Sequence, residues 1–112
     1  MTTQLERSLD ALKAEEFPAI EFDYQLLDDG NRLHIYHFEV LQETRGLGIG
    51  QTVLTDIEAL AVQAGIHTVS VRMGLTEDMP DREPDPTVRF LEACGFETQA
   101  PTNGGVDAQK QL

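Results

Sequence analysis

The chain has 112 residues, 40% of them hydrophobic and 25% charged, with no tryptophan and one cysteine. That length holds one domain with a real core and is too short for two, and the apolar fraction excludes wholesale disorder. Twenty acidic residues against eight basic ones leave a formal net charge of −12, which repels nucleic-acid phosphates and anionic membranes and argues against both as partners.

No apolar run approaches the roughly 18 residues of a membrane span. The start, Met1-Thr2-Thr3-Gln4-Leu5-Glu6, lacks the basic and apolar regions of a signal peptide, and the lone Cys94 cannot close an internal disulfide. A cytoplasmic protein is expected. The acidity has two readings, attraction of a cationic acceptor or hydration in a salty cytoplasm. Its spread along the whole chain favours the second.

Thr3 to Glu6 has the form of a capping box, and Leu5, Leu9 and Leu12 follow at helical spacing down to about Glu16, where Phe17-Pro18 stops the helix. Ile20, Phe22, Tyr24 and Leu26 alternate with polar residues as in a half-buried strand. Asp28-Asp29-Gly30-Asn31 turns the chain, and Arg32 to Leu41 returns antiparallel. This second strand reads as apolar on both faces, with Leu33 and Ile35 on one side and Tyr36, Phe38 and Val40 on the other, as in a central strand.

Arg45-Gly46-Leu47-Gly48-Ile49-Gly50 leads into a helix carrying Val53, Leu54, Ile57, Leu60, Ala61 and Ala64, with Gly65 placed to end it. Val69, Val71 and Met73 alternate in a third strand. An acidic loop runs from Gly74 to Pro86, and Asp85-Pro86 opens a short helix closed by Gly95-Phe96. Phe96 begins a last strand. From Pro101, with Gly104-Gly105 and no periodicity, a frayed tail is expected. The order α-β-β-α-β-α, with a final β, describes an α/β layer architecture around a mixed sheet, one domain over 1–100 and a flexible tail over 101–112.

The glycine loop carries the chemistry. Three glycines at alternate positions remove every Cβ that would keep a ligand from the backbone, and the helix start behind them presents unpaired N–H groups at the positive end of a dipole. That is a phosphate site, to which Arg45 adds a charge. The loop lacks the lysine of a P-loop, and its third glycine comes one position early for a dinucleotide fingerprint.

With Val40 five residues before it, the run Val40-Leu41-Gln42-Glu43-Thr44-Arg45-Gly46-Leu47-Gly48-Ile49-Gly50 resembles the acetyl-CoA signature of the GNAT acetyltransferases, Gln/Arg-x-x-Gly-x-Gly/Ala. Phe90-Leu91-Glu92-Ala93-Cys94-Gly95-Phe96 resembles the segment that closes the family's next helix, and the order of elements agrees from roughly residue 19 to 97. The resemblance implies the GNAT acyltransferase fold, with acetyl-CoA as cosubstrate and a small-molecule or peptide amine as acceptor. It implies that the backbone of Phe38 to Val40 pairs with the pantetheine arm and that the amides of Arg45, Gly46, Leu47, Gly48, Ile49 and Gly50 hold the pyrophosphate. The acetyl group is then expected where the central strand and the strand Val69 to Met73 splay apart, under direct attack by the amine.

By the same resemblance, His34 stands at the position that holds a Glu or His base in several family members, with Tyr36 pointing the same way and His37 and Glu39 on the opposite face. A histidine suits the task by its near-neutral pKa, though such residues are also common on strand surfaces. The departures are specific. Leu91 occupies the position of the family's proton-donating tyrosine, and Pro84 that of a frequent asparagine. Cys94, between Phe90 and Phe96, reads as core and not as a nucleophile. The acidic loop lacks the spacing and glycine of an EF-hand, so no metal is expected. The chain is also short for the family, and a second subunit in a homodimer is one source of the missing pocket wall. Three readings follow: an active N-acetyltransferase, a non-catalytic CoA-binding or interaction module that kept the loop and lost the acid, or a fold-only relic with no ligand.

Overall fold

The structure, a computed structural model, describes residues 3–41, 48–74, 86–100, 102 and 104–112. The first helix, α1 (Gln4–Glu16), begins with the capping box: Thr3 accepts from the Glu6 amide and Glu6 reaches back to the Thr3 backbone. Leu5 and Leu9 bury its inner face. β1 (Ile20–Leu27) and β2 (Arg32–Val40) then form an antiparallel hairpin, whose turn holds Asp28 and Asp29 at φ 54° and 58°. Positive φ at both positions is the turn geometry that matches the twist of paired strands.

α2 (Ile49–Gln63) carries the chain over the sheet to β3 (Thr68–Gly74), which lies parallel to β2. α3 (Pro86–Ala93) starts on its proline, as the sequence predicts; the expected N-cap, Asp85, lies outside the described residues. Both α2 and α3 end in the same double hydrogen bond. Ile66 and Gly65 donate to Ala61 and Val62, and Phe96 and Gly95 donate to Leu91 and Glu92. The closing Gly-Phe of the sequence is thus a helix stop whose phenylalanine drops into the core, where Phe96 is buried beside Leu91.

The end of the chain corrects the expected frayed tail. After a short β4 (Glu97–Thr98), the segment β5 (Gly105–Gln111) pairs antiparallel with β3 along its full length and with β4 on its other edge. Thr102 and Gly105 exchange backbone hydrogen bonds at the tip. Val106 and Ala108 alternate into the core with Asp107 and Gln109 outside, a period of two too short to be seen behind two glycines. The sheet order is β1-β2-β3-β5-β4, a five-stranded mixed sheet with three helices among the described residues. None of those helices is long and apolar enough to cross a membrane.

One sheet face makes the core. Leu33, Ile35, Val69, Val71, Val106 and Ala108 are buried there with Leu54, Ile57 and Ala61 of α2. Residues opposed in a ladder point to the same side. Gln25, His34, Ser70 and Gln109, which pair in turn across the strands, therefore share the other, polar face.

Candidate active site

A β-bulge organises the site. Tyr24 opposes Ile35 but Asp23 opposes His37, so Tyr36 is an extra residue on β2 without a cross-strand partner. Every side chain beyond it changes face. Phe38 and Val40 therefore join Leu33 and Ile35 on the core side, opposite Phe22 and Ile20. This overturns the strict alternation expected of β2, and His37 and Glu39 lie on the face of His34, not opposite it. Phe38 stacks on Phe90 of α3 at 6.3 Å between ring centroids, which makes its side chain structural and leaves its backbone for pairing.

Beyond the bulge the parallel ladder ends. β2 and β3 pair from Arg32 and Thr68 to Ile35 and Val71, and no pairing extends to Tyr36–Val40 and Arg72–Gly74. Two parallel strands that separate in mid-sheet leave backbone N–H and C=O groups for another occupant. α2 begins beside this opening. Its N-cap is Gly48 at φ 77°; among the described residues it has no side-chain cap hydrogen bond, no acidic residue in its first turn and nothing within 4 Å of where a Cβ would stand. Such a helix start offers unpaired amides to an anion.

Gly50 differs from Gly48. A Cβ there would lie 3.1 Å from Val40 and 3.2 Å from the Phe90 ring, so this glycine lets the first turn of α2 seat against the end of β2 and against α3. Ile49 packs partly buried against the core. Arg45, Gly46 and Leu47 lie outside the described residues, as do the acidic loop at 75–85 and Pro84.

On the polar face, His34 lines an open depression of about 320 Å³ with Arg32, Ser70, Asp107 and three glutamines, Gln25, Gln99 and Gln109. His34 Nδ1 lies 2.8 Å from Ser70 Oγ, and Ser70 is only 7% exposed. Burial, and then the Arg32 guanidinium, hold the His34 pKa below its ordinary value, with Asp107 opposing. At neutral pH the ring is therefore an uncharged proton acceptor. Asp107 is itself engaged, 2.9 Å from Arg72, whose other nitrogen donates to the Thr102 carbonyl at 2.7 Å.

Tyr36 is not in this lining; it stands 51% exposed on the bulge. Leu91 is fully buried and has no proton to give, and Cys94 is a buried thiol whose pKa burial raises, an inert core group. Ser70 and Arg32 escaped the sequence reading. Ser70 left a signal, one hydroxyl between Val69 and Val71 in an otherwise apolar strand.

The sequence over residues 19–96 matches the model of the Acetyltransferase (GNAT) family. The chain belongs to the GNAT family. Solved GNAT structures share its fold. An acetyltransferase of the family from Listeria monocytogenes 4b F2365 superposes with a TM-score of 0.57 at 12% identity, covering 84% of this chain and 58% of its own. Ard1 from Thermoplasma volcanium gives 0.61 at 13%, covering 96% and 79%. IAA acetyltransferase from Bacillus cereus ATCC 14579 gives 0.62 at 15%, covering 81% and 68%. The chain thus spans less than two thirds of the Listeria protein. No curated protein sequence matches it.

Within this family the parted strands and the helix start beside them have a ready meaning, since GNAT proteins generally use acetyl-CoA. The residues fit such a ligand. Gly48 leaves space over the first-turn amides of α2 among the described residues, the β2–β3 pairing stops at Ile35 and Val71, and His34 lies one residue before that point.

Proposed function

We propose that this chain is an acetyl-CoA-dependent N-acetyltransferase in which His34 is the base. The observation that carries the reading is the juxtaposition of three features. The β2–β3 ladder ends at Ile35 and Val71, α2 starts uncapped at Gly48, and His34 lies on the polar face one residue before the parting. Bound acetyl-CoA would supply an acetyl group already activated as a thioester. The amides of residues 45–50 would hold its pyrophosphate and the backbone of Phe38 to Val40 its pantetheine arm.

The remaining chemistry falls to the chain. An acceptor amine arrives as ammonium and must lose a proton before its nitrogen can attack the thioester carbon. Which imidazole nitrogen can take it depends on the tautomer at the Ser70 contact. If Nδ1–H donates to Ser70 Oγ, Nε2 keeps its lone pair and receives the proton. Burial keeps His34 neutral, and so ready, at the cost of some basicity. The C–S bond would then break with its electron pair on sulfur, and that thiolate would take its proton from solvent, since the buried Leu91 has none to give.

Leu91 favours the second reading, a CoA-binding module without catalysis, since the usual donor position is core. Melting with and without millimolar acetyl-CoA tests the shared part. Saturation at about a hundred times Kd adds about 2.7 kcal/mol, several degrees for a domain of this size. A shift lost in Gly48→Glu supports the site, and its absence in wild type refutes both readings. Release of CoA thiol stimulated by an amine, and abolished in His34→Gln, separates enzyme from module.

A further inference from the structure

The depression around His34 has the wrong charge for a polycationic acceptor. In a protein of net charge −12, the one carboxylate that lines it among the described residues, Asp107, is held by Arg72 at 2.9 Å. The cation lining it, Arg32, is poorly occupied. Its Nε is buried with no hydrogen-bond partner among the described residues. Asp28 Oδ2 does lie 3.3 Å from that nitrogen, yet without hydrogen-bond alignment, and Asp28 is 64% exposed on the hairpin turn. A pair of that kind is screened and weak. The other polar residues of the lining among the described residues, Gln25, Gln99, Gln109 and Ser70, are neutral.

We infer that the acceptor is a small molecule of amino-acid size carrying a carboxylate beside its amine, and that Arg32 grips the carboxylate. This rests on the transferase reading and narrows it. The spacing supports it. Arg32 and His34 stand two residues apart on one strand face, about 6.6 Å along β2, with His34 next to the parted strands and Arg32 farther back. An acceptor with its nitrogen at His34 and its carboxylate toward Arg32 spans that interval. A guanidinium fork matches a carboxylate in two parallel hydrogen bonds. A volume of about 320 Å³ suits a molecule of this size.

The test pairs free L-amino acids with their carboxamides, which keep size and amine but lose the charge. CoA thiol release is followed with acetyl-CoA in the intact protein. Wild type should favour acids over amides by about tenfold or more in kcat/KM, the worth of a charge-assisted hydrogen bond. Arg32→Met should bring that ratio to about one, with Arg32→Gln as a second variant and the acetyl-CoA melting shift confirming that each is folded. Calorimetry of the same amino acids on protein saturated with CoA reads binding where turnover is slow. Amides equal to acids in wild type, an unchanged ratio in both variants, or no amino-acid binding would overturn the assignment while a normal acetyl-CoA shift leaves the transferase reading standing. An absent shift removes both.

Discussion

Lys110 Nζ lies 2.6 Å from Glu58 Oε1, joining the last strand to the middle of α2. The same ammonium donates to the Cys94 carbonyl at 2.8 Å and sits 5.8 Å over the Phe96 ring. One of the two lysines in the chain thus ties β5, α2 and the end of α3 together. Glu58 is only 12% exposed and Lys110 28%, so the pair is shielded from the screening that makes surface pairs weak.

Removing one partner strands the other. Lys110→Met should destabilise by about 2–4 kcal/mol, because it leaves a shielded carboxylate and an α3 carbonyl without their donor. The double variant Lys110→Met/Glu58→Leu should lose less than the sum of the single changes. Urea denaturation of the four proteins measures this, and additivity would mean that the contact contributes nothing of its own.

His34 sets a pH dependence. Its pKa is lowered by burial and by Arg32, so the unfolded chain binds more protons than the folded one as pH falls through about 6.5. Stability should therefore decline below about pH 6.5, and His34→Gln should flatten that part of the profile. If His34 is the base, the acidic limb of kcat/KM should lie below 6.5 and move upward in Arg32→Met. A limb at or above 7 in wild type would contradict the base assignment.

The two glycines at the start of α2 should fail differently. Gly50→Ala puts a methyl 3.1 Å from Val40 and 3.2 Å from Phe90, an overpacking expected to cost about 1–3 kcal/mol. Gly48→Ala meets no atom of the described residues, and its cost, about 1–2 kcal/mol, comes from the φ of 77°. Gly48→Glu adds a negative group over the helix amides, so its larger effect should be on the acetyl-CoA melting shift. Equal effects of Gly48→Ala and Gly48→Glu on that shift would argue against an anion there.

A chain truncated after residue 100 should not fold cooperatively. β5 covers the free edge of β3, and Val106, fully buried, and Ala108, nearly so, close the core beside it. Loss of a sharp thermal transition is the expected outcome; a retained one would return residues 101–112 to the status of a tail.

The bulge and the hairpin show where local pattern was sufficient and where it was read too simply. In β2 the polar residues Arg32 and His34 are in phase with each other, as are His37 and Glu39, but the two sets are one residue out of step. That slip marks Tyr36 as the inserted residue. Strict alternation hides it, because a tyrosine passes equally as core or surface. Asn103-Gly104 between Thr102 and Gly105 is likewise a hairpin signal, overlooked behind the absence of apolar periodicity.

What the sequence determined by itself is what depends on neighbours in the chain. The capping box at Thr3, the proline start of α3, the glycine stops of α2 and α3 and the glycine-rich entry to α2 all act over a few residues, through φ preferences and orphan amides. Tertiary structure alone decided the relations between segments far apart. Ser70 meets His34 across 36 residues because a parallel ladder aligns them, Arg72 holds Asp107 across 35, and β5 leaves solvent because β3 has an edge to pair. Such contacts depend on strand order and register, which a mixed sheet sets only when all its strands meet.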